Sequence, residues 1–564
     1  MKHYALGLDY GTNSCRSLIV DLADGAELAS HVFSYPSGKQ GILLDPKDPN
    51  VARQNPQDYL DAFVAIKEAI KIARKKRPGF NPHEIIGIGV DTTGSTPLPV
   101  DIQGLPLAFN PKFKKNLNAQ AWLWKDHTSF AEAAEITATA AKLRPQFLAK
   151  CGGTYSSEWF WSKILHCKRV APEVFKAAHS FVECCDFIPA VLAGNTRPDQ
   201  LVRGVCAAGH KAMYCEEWNG LPDKKFLARL DPALADLRDR LFAKAVPSDR
   251  LAGRLSKEWA AKLGLKEGTA IAVGAFDAHM GGVGAGIKVG TLVKILGTST
   301  CDMMVWPANK RLADIPGVCG IVNGSVLPGY HGIEAGQSAV GDIFLWLVNN
   351  LVPDRYGKTQ DEKFVRLANL AAGQKPGGHG LLALDWNNGN RTILVDVRLS
   401  GLLLGQTLHT EAHEIYRALI EATAFGALTI IKRIEEYGVP VKEIINCGGL
   451  AAKNPLLMQI YADVTGRPMK ISRSDQTCAL GAALFGAVAA GRKAGGYDSV
   501  AAAQKAMCGV RSTVFTPIRA NHEVYKKLYS LYREMHDAFG TPTWSGKLDR
   551  VMKDLIVLRQ QQRS

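Results

Sequence analysis

Two short stretches decide the fold: Gly7–Ile19 reads GLDYGTNSCRSLI, and Val293–Val305 reads VKILGTSTCDMMV. Each is an apolar run, a turn that begins Gly-Thr and continues with two polar residues, and a second apolar run, which is the pattern of a β-hairpin. The residues that match in pairs are Gly11 and Gly297, Thr12 and Thr298, and Cys15 and Cys301. One such hairpin in each half of the chain predicts two domains of related topology that face each other.

Around the hairpins, apolar segments alternate with amphipathic ones, which predicts an α/β protein with a parallel or mixed sheet. The elements that the pattern predicts are a helix over Pro56–Arg74, a strand from Ile85, a long helix over Glu411–Tyr437, a strand over Glu443–Asn446, a helix over Pro455–Thr465 that stops at Gly466, a helix with Asp475 as its N-cap, and tail helices over about Glu523–Phe539 and Leu548–Leu558. The last helix covers either its own chain or a partner subunit, so a homodimer stays open.

The bulk composition excludes several classes of protein. With 564 residues, 46% hydrophobic, 21% charged and 54 glycines, the chain has the composition of a soluble α/β protein of roughly two to four folding units. No apolar run approaches a membrane span, and the start MKHYALGLDYGT meets Asp and Gly too early for a signal peptide, so we expect a cytoplasmic protein. Twelve cysteines without paired spacing fit reduced thiols, and neither CxxC nor HExxH spacing supports a zinc site.

The net charge of +15 raises the question of a nucleic-acid partner. The basic residues are dispersed apart from short clusters such as Arg74–Arg77, and they are not interleaved with aromatic residues. A solvated basic surface therefore explains the charge better than a nucleic-acid face does.

The turn DYGTNS of the first hairpin is suited to phosphate oxygens, because glycine permits a tight turn of consecutive backbone N–H groups and Thr, Asn and Ser add short donors. Asp9 precedes this turn and would repel a phosphate unless Mg²⁺ lies between them. One such turn is also an ordinary hairpin turn. Two of them, together with the Gly-Gly strand end and helix start at Gly448–Asn454, indicate a nucleotide held between two domains. Neither GxxxxGK[ST] nor a GxGxxG after the first strand is present.

A single acid stands out in Ala270–Gly286, AIAVGAFDAHMGGVGAG. Asp277 follows a short apolar segment and precedes a helix start of small residues, which is where an α/β enzyme places a catalytic group. An Asp at this position is also a common helix N-cap. The stretch alone leaves both interpretations open, and one carboxylate can serve both purposes.

The whole set of motifs resembles the FGGY carbohydrate kinases. The motifs that carry the resemblance are GLDYGT, VDTTGSTPLP, LWKDHT, GGTYSSEWFWSKILH, AAGHK, VGAFDAHMGGVGAG, LGTSTCD, GIEAGQSAVGDIF, LDWNNGNRT, ALIEATAFGA and CGGLAAKN, and they extend to about Gly491. The resemblance implies the two-domain actin-like (ribonuclease H-like) ATPase fold of that family, with the sugar and ATP in the interdomain cleft. The domains it implies are an N-terminal sugar-binding domain over 1–280, a C-terminal nucleotide-binding domain over 281–510, and a helical tail over 511–564.

Site residues follow from the resemblance motif by motif. It implies that Asp277 is the catalytic base and that Asp9 approaches Mg²⁺ through a water molecule. The residues that match the family's ATP-binding positions are Gly11, Thr12 and Asn13 in the first phosphate loop, Gly297, Thr298 and Ser299 in the second, and Gly341, Gly448, Gly449 and Asn454 on the adenosine side. Those that match its sugar side are Lys211, Glu334, Ser95 or Thr96, and Trp124 and Asp126 of LWKDHT.

Several of these residues have a plainer interpretation. Lys211 could be a solvated surface lysine, Glu334 could pair with a nearby arginine, and Trp124 could fill the core. The chain also departs from the family's pattern at Gln406, where an aliphatic residue is usual, and at Lys453, where many members have Asn. The second departure leaves the adenine contacts open, while neither one touches Asp277 or the phosphate loops.

The function that the resemblance implies is ATP-dependent phosphorylation of L-ribulose, a 2-ketopentose, at its terminal O5 hydroxyl, with ATP and Mg²⁺ as cofactors. We expect neither nucleic acid nor a membrane as a partner. One alternative is a sibling kinase for ribitol, D-ribulose or xylulose, because a few side chains set the stereochemistry of the pocket. A second is a non-catalytic sugar-sensing protein of the same fold, which the intact Asp277, Asp9 and both Gly-Thr turns disfavour.

Overall fold

The computed structural model describes residues 2–563 as two large sheets with helices between and around them. The strands are β1 (Tyr4–Tyr10), β2 (Ser14–Asp21), β3 (Glu27–Ser34), β4 (Leu43–Asp45), β5 (Asp48–Gln54), β6 (Ile85–Thr92), β7 (Pro97–Val100), β8 (Ala121–Trp122), β9 (Ser180–Glu183), β10 (Leu251–Arg254), β11 (Ala270–Ala272), β12 (Ala275–Phe276), β13 (Thr291–Leu296), β14 (Thr300–Pro307), β15 (Gly320–Asn323), β16 (Tyr330–Ala335), β17 (Leu382–Leu384), β18 (Leu402–Leu404), β19 (Glu443–Cys447), β20 (Met469–Ser472) and β21 (Val510–Phe515).

The helices are α1 (Pro56–Asp61), α2 (Val64–Lys76), α3 (Phe130–Leu143), α4 (Pro145–Ala149), α5 (Phe160–Val170), α6 (Pro172–Ala177), α7 (Cys184–Ala193), α8 (Val205–Ala212), α9 (Lys224–Leu230), α10 (Pro232–Arg238), α11 (Lys257–Leu263), α12 (Asp277–Gly284), α13 (Gly341–Asn350), α14 (Gln360–Ala372), α15 (Ala412–Glu436), α16 (Gly449–Lys453), α17 (Pro455–Thr465), α18 (Thr477–Ala490), α19 (Val500–Met507), α20 (Arg519–Gly540) and α21 (Val551–Arg563). No helix in the described range 2–563 is both long and apolar enough to cross a bilayer.

The two large sheets repeat one topology. The first has the order β10-β11-β6-β1-β2-β3, with β12 also paired to β6, and the second has the order β15-β16-β14-β13-β19-β20-β21. In each, an antiparallel hairpin (β1–β2 or β13–β14) lies beside a parallel strand (β6 or β19). Both predicted hairpins and the mixed α/β sheet are therefore confirmed. Because the carboxyl ends of the parallel strands lie at one edge, the hairpin turns and the loops after β6 and β19 share that edge in each half.

Two helices hold the halves together, and each packs on the other half's sheet. α12 precedes the second sheet in the chain but contacts β13 and β14, whereas α18 lies between β20 and β21 of that sheet in the chain and packs on β1, β6 and β11 of the first. The helices also cross each other very closely, because Gly284 and Gly481 lack side chains: a Cβ at Gly481 would stand 1.9 Å from the carbonyl oxygen of Met280. One apolar cluster of this region draws its buried residues from both halves.

A helical insertion with its own apolar core lies between β6 and β10 in the chain. Helices α3–α6, α9 and α10 share an apolar cluster that includes Trp122, Trp161 and Phe147. The insertion is accompanied by a separate two-stranded sheet, in which β7 pairs antiparallel with β9. It carries the segments LWKDHT and GGTYSSEWFWSKILH, so its position places these motifs beside the ends of β1 and β6.

The tail helices cover their own chain. α20 packs against α17, and Tyr525, Leu528 and Tyr532 are buried in the cluster that also encloses α15. From α21, Val551, Leu555 and Leu558 join the same cluster. The sequence had left open whether the last helix covers its own chain or a partner; one face of α21 does the former.

Two local predictions are wrong. The helix predicted over Pro56–Arg74 is two helices, α1 and α2, because the bonds from Phe63 N to the carbonyl of Leu60 (3.2 Å) and from Ile66 N to that of Phe63 (3.1 Å) tighten the turn between them. The N-cap position of α18 is Gln476 and makes no side-chain cap bond. Asp475, predicted as that cap, instead pairs with Arg511 at 2.5 Å, since an exposed guanidinium on β21 lies within its reach.

Candidate functional site

The tip of the first hairpin faces the cleft and is held from behind. Gly11 N donates to the Ser14 carbonyl at 2.9 Å, which closes the turn. Gln54 Nε2 donates to the Thr12 carbonyl at 2.8 Å, and Trp124 Nε1 donates to Thr12 Oγ1 at 3.0 Å. Asn13 is exposed, and its Nδ2 donates to the Gln40 carbonyl at 2.7 Å. Trp124, predicted on the sugar side, thus supports the first phosphate loop.

The tip of the second hairpin is held by the start of α13. Gly297 N donates to the Ser299 carbonyl at 3.0 Å, while Gly341 N donates to the Gly297 carbonyl at 3.1 Å and Val340 N to that of Thr298 at 2.8 Å. Gly341 must be glycine here, since a Cβ would stand 2.6 Å from the Gly297 carbonyl oxygen. Gly297 and Thr298 are exposed.

Both tips present free backbone donors. Among the hydrogen bonds of residues 2–563, none is donated by the backbone N–H of Thr12, Asn13, Thr298 or Ser299. A pair of neighbouring free N–H groups in each turn is what an anion such as a phosphate group requires. The structure therefore gives each predicted phosphate loop the donors that the prediction needs.

Three carboxyl groups meet where the central strands of the first sheet end. Asp9 of β1 lies beside Asp91 of β6, and Asp91 lies beside Ala275, which shortly precedes Asp277. Asp9 keeps 17% of its side chain exposed and has Arg16 Nη1 at 3.4 Å from Oδ2. Asp91 is fully buried, and neither of its carboxylate oxygens has a hydrogen-bond partner in the described part of the chain.

These acids shift one another's pKa. Burial raises the pKa of Asp277 from 3.8 to about 7, and the charge of Asp9 adds to the effect. Burial also raises the pKa of Asp91 well above its ordinary value, together with the charges of Asp9 and Asp277. For Asp9, burial raises the pKa although Arg16 opposes it. A group with a pKa near 7 exchanges its proton readily at neutral pH, as general acid–base catalysis requires.

Asp277 is the first residue of α12, and its Oδ1 accepts a hydrogen bond from its neighbour Ala278 N at 2.7 Å. The N-cap position belongs to Phe276. The charges that act on Asp277 come from both sides, with Asp9 on the phosphate side and Glu334 and Lys211 on the sugar side. Asp277 therefore lies between the two sets of predicted binding residues.

Lys211 and Glu334 face each other, one from each half of the chain. Lys211 Nζ, on α8, lies 3.3 Å from Glu334 Oε1 and 3.4 Å from Oε2, on β16. Lys211 is thus not a surface lysine, and an arginine is not the direct partner of Glu334. Burial alone would raise the pKa of Glu334, but Lys211, His210, His279 and Arg391 together outweigh burial and the pKa is lowered, so the pair is ionised at neutral pH. Trp159 and Phe276 lie beside the ammonium, with ring centroids 5.2 and 5.7 Å away.

Ser95 and Thr96 lie at the end of β6, but their polar groups are occupied. Ser95 Oγ donates a short hydrogen bond to Glu183 Oε1, and Thr96 N donates to Glu183 Oε2 at 2.7 Å. Lys163 Nζ donates to the Ser95 carbonyl at 2.8 Å. Both residues are fully buried. The loop is therefore held rigidly near the cleft, while its hydroxyl groups point to protein partners.

Asp126 is enclosed within the insertion. Its carboxylate forms a very close ion pair with Arg53 and accepts from Ala52 N at 2.7 Å and from Thr128 Oγ1 at 2.6 Å. Both charged side chains are almost fully buried. This arrangement leaves the Asp126 carboxylate no free face for a sugar, and it joins β5 to the loop that carries Trp124.

The residues predicted on the adenosine side lie after β19. Gly448 has φ 92°, and a Cβ there would stand 2.3 Å from the Leu296 carbonyl oxygen of the second hairpin. Gly449 begins α16 and has open space around its Cα. Asn454 caps α17, since its Oδ1 accepts from Leu457 N at 3.0 Å, and its Nδ2 donates to Tyr416 OH at 3.1 Å. The strand end therefore lies directly against the second phosphate loop.

Sequence reasoning missed Asp91. Asp91 belongs to the motif VDTTGSTPLP, whose predicted site residues are Ser95 or Thr96 and not the acid. Its place beside Asp9 depends on the parallel pairing of β1 with β6. The signal available in the sequence was that both strands end in Asp, in GLDYG and GVDTT.

Comparisons with known proteins agree across the chain. Models of the FGGY family of carbohydrate kinases match residues 4–284 with the N-terminal domain and 292–490 with the C-terminal domain. Ribulokinase from Shouchella clausii is 43% identical over 99% of this chain and 98% of its own, and ribulokinase from Geobacillus thermodenitrificans is 44% identical over 96% and 95%.

Solved structures share the fold at low identity. Xylulose kinase from Rhodospirillum rubrum has a TM-score of 0.76 at 22% identity and covers 95% of this chain and 99% of its own. Plasmodium falciparum glycerol kinase with ADP has a TM-score of 0.76 at 17% identity, over 95% and 98%. Likeness at this identity shows the two-domain architecture.

Proposed function

Since the chain belongs to the FGGY family of carbohydrate kinases, we propose that it transfers the γ-phosphoryl group of ATP to the terminal O5 hydroxyl of L-ribulose, giving L-ribulose 5-phosphate in arabinose catabolism. The family fixes the fold as the two-domain actin-like ATPase fold and the enzyme class as carbohydrate kinase. Two curated ribulokinases, at 43% and 44% identity over nearly the whole chain, support the choice of sugar.

One observation carries the proposal: the charges that act on buried Asp277 are those of Asp9, which precedes a turn with free N–H donors, and of the ionised Lys211–Glu334 pair. In the proposed mechanism the turns bind phosphate oxygens, and Lys211 and Glu334 bind sugar hydroxyls. Asp277 orients the terminal hydroxyl and accepts its proton. A carboxylate suffices as base because proton transfer comes late in a loose phosphoryl-transfer transition state.

The residues at the end of β1 and β6 fit a divalent cation. Asp91 is a buried carboxyl without a hydrogen-bond partner beside Asp9, and oxygen ligands of this kind are those that Mg²⁺ takes. We propose that Asp9, through a water molecule, and Asp91 hold Mg²⁺ there. The ion supplies charge neutralisation for the nucleotide phosphates. Asp91 and Asp9 would then share a positive neighbour instead of repelling each other.

The proposal is tested with a coupled assay of ADP release over a panel of pentuloses and pentitols. We expect L-ribulose to give the highest kcat/KM, and a higher value for ribitol, D-ribulose or xylulose would identify a sibling kinase instead. Asp277→Ala should keep sugar and ATP binding while losing turnover, because the base acts in the transition state. A wild-type chain that binds sugars without turnover would identify a sugar sensor.

A further part of the proposal concerns the domains of the chain. We propose that residues 1–280 bind the sugar, 281–510 bind the nucleotide, and 511–564 form a helical tail. The contacts of Lys211 and of the second hairpin support this division, although Glu334 reaches the sugar side from the second half. Hydrogen exchange tests it: L-ribulose should protect mainly 1–280, and ADP mainly 281–510.

The remaining proposals concern environment and assembly. All twelve cysteines are free, which supports a cytoplasmic location. A homodimer is supported by the outer face of α21, where Met552, Ile556 and Val557 are about half exposed. Sedimentation velocity tests the assembly, since a 61.1 kDa species would exclude the dimer.

A further inference from the structure

Two buried histidines lie beside the Glu334 carboxylate that Lys211 also contacts. His210 Nδ1 lies 3.2 Å and His279 Nε2 lies 3.8 Å from the same oxygen, Glu334 Oε2. The two imidazole rings stand edge to face, with centroids 4.5 Å apart. His279 is on α12, two residues after Asp277, so one short helix carries both the proposed base and this histidine.

The imidazole of His279 has no hydrogen bond at all. Neither Nδ1 nor Nε2 has a partner in the described part of the chain, although the side chain is only 2% exposed. Burial lowers the pKa of His279 from 6.5 to about 4, so the ring is neutral at pH 7 and carries one N–H. A buried N–H without an acceptor costs about 1–3 kcal/mol. A hydrogen-bond acceptor that comes within reach only when the sugar is bound would offset this free-energy cost.

His210 already has a hydrogen-bond partner on its other ring nitrogen, since its Nε2 lies 3.0 Å from Ser325 Oγ. Burial lowers the pKa of His210, so this ring is also neutral at pH 7. Its Nδ1 lies 3.2 Å from Glu334 Oε2 without forming a hydrogen bond. His279 differs from His210 because neither of its ring nitrogens has a partner in the described part of the chain.

The same three side chains could be read as a metal site, since ligand atoms of His210, His279 and Glu334 lie within 4.8 Å of one another. A cation there would share Glu334 with the Lys211 ammonium, which lies 3.3 Å from Oε1. Repulsion between two buried positive charges with one carboxylate between them disfavours the ion. A neutral donor to Glu334 meets no such repulsion.

We propose that His279 is a positioning residue for the acceptor sugar, and that it donates from Nε2 to Glu334 Oε2 while Oε1 accepts a sugar hydroxyl. The inference rests on the proposed function, since it takes Glu334 to bind the sugar. Lys211 fixes the charge of Glu334, and His279 fixes the plane of its carboxylate. The 3.8 Å separation closes by a small rotation of either side chain when the sugar engages Oε1.

The experiment measures L-ribulose binding by isothermal titration calorimetry without nucleotide, and KM for sugar and ATP separately. His279→Leu keeps the volume without the donor, and we expect about tenfold weaker L-ribulose binding, as for loss of a hydrogen bond to a charged group. The KM for L-ribulose should rise by a similar factor, while the KM for ATP should stay unchanged. His279→Gln places an amide N–H near the position of Nε2 and should restore binding to within about threefold of the wild type.

His379→Leu is the matched control, because His379 is a buried histidine bonded to Glu421 away from the sugar side. It should lower thermal stability without weakening L-ribulose binding. Equal L-ribulose affinity of wild type and folded His279→Leu would overturn the role of His279 and leave the proposed function standing. An equal loss in the Leu and Gln variants would overturn it in favour of packing alone. Absence of L-ribulose binding by the wild type would overturn both.

Discussion

Asp277 is the first residue of a helix and lies near three charged groups, Asp9, Glu334 and Lys211. Its burial and these neighbours determine its chemistry more than its position in the helix does. Burial and the charge of Asp9 raise the pKa of Asp277 more than the hydrogen bond from Ala278 N lowers it, and the net pKa is about 7. An ordinary aspartate at the start of a helix has a pKa far below 7 and is therefore ionised at neutral pH. At this residue, desolvation outweighs the hydrogen bond.

We predict that kcat/KM for the sugar falls below about pH 7 because protonated Asp277 cannot accept the hydroxyl proton. On the acidic side of this pH profile, kcat/KM should fall about tenfold for each unit of pH. The free energy of unfolding should change with pH in the opposite direction. The native carboxyl binds its proton between about 4 and 7 while the unfolded one has released it, so the free energy of unfolding decreases as pH rises through this window.

Thermal unfolding of Asp277→Asn, without metal or nucleotide, checks this sign. The variant should melt above the wild type at pH 8, and the difference should shrink as the pH approaches 4. A difference in melting temperature that does not vary with pH would contradict the raised pKa of Asp277.

Asp91 gives a second prediction at the residue scale. Asp91→Asn should weaken Mn²⁺ binding in the presence of ADP about tenfold, as is usual for loss of an oxygen group at a metal site. The free Mn²⁺ signal in electron paramagnetic resonance measures it. Asp186→Asn is the control, since Asp186 is a buried acid bonded to Gly204 N within the same half. Equal Mn²⁺ affinity of Asp91→Asn and wild type would remove Asp91 from the metal site.

At the scale of elements, the crossing of α12 and α18 depends on glycine. A Cβ at Gly481 would meet the Met280 carbonyl at 1.9 Å, and helix backbone cannot yield as a flexible side chain does. We predict that Gly481→Ala lowers the free energy of unfolding by about 1–3 kcal/mol, the usual cost of overpacking. Urea unfolding measures it.

Gly373→Ala is the control for that substitution. Gly373 ends α14, and its added Cβ would make only an ordinary contact of 3.5 Å with the Leu370 carbonyl. We expect its stability to stay within about 0.5 kcal/mol of the wild type. If both alanine variants unfold alike, the close crossing of α12 and α18 is not what holds the halves together.

A chain of buried polar groups connects the tail to the second hairpin, β13–β14. Tyr532 OH on α20 donates to Asp385 Oδ1 at 3.0 Å, Gln337 Nε2 donates to Asp385 Oδ2 at 2.7 Å, and Lys294 Nζ donates to Gln337 Oε1 at 3.3 Å. Lys294 also pairs with Asp302 across the hairpin, at 2.7 Å. The tail helix thereby contacts the strands that present Gly297 and Thr298.

We predict that Tyr532→Phe raises the KM for ATP a few-fold and lowers the free energy of unfolding by about 1–3 kcal/mol, because Asp385 keeps an unpaired buried oxygen. Tyr529→Phe, on the same helix, removes a bond to Thr429 Oγ1 (3.2 Å) outside this chain of groups. It should lower stability with the KM for ATP unchanged. An unchanged KM for ATP in Tyr532→Phe would mean that the tail contributes to stability alone.

At the scale of the whole molecule, the cleft must exclude water, because water would compete with the sugar as phosphoryl acceptor. Lys211 and Glu334 approach each other from the two halves, so a bound sugar would touch both. We predict that saturating L-ribulose with a non-hydrolysable ATP analogue lowers the radius of gyration in small-angle scattering. A sugar that the assay shows to be no acceptor is the control, and an unchanged radius with L-ribulose would contradict closure.

The sequence alone determined the features that depend on neighbouring residues. Both hairpins, the long helix α15, the stop of α17 at Gly466 and the family of the chain follow from local patterns, because turns, helix ends and motifs are set within a few residues. It placed Asp277 correctly at a helix start. The break between α1 and α2 escaped it, since both helices carry one continuous apolar pattern.

Only the tertiary structure decided which way the side chains face and what surrounds them. It paired Asp91 with Asp9, gave the hydroxyl of Ser95 to Glu183, enclosed Asp126 with Arg53, and packed α18 on the opposite half's sheet. Each of these joins residues distant in the chain, and local periodicity carries no information about such pairs. Desolvation, which moves the pKa of Asp277 to about 7, likewise exists only once the two halves enclose the carboxyl.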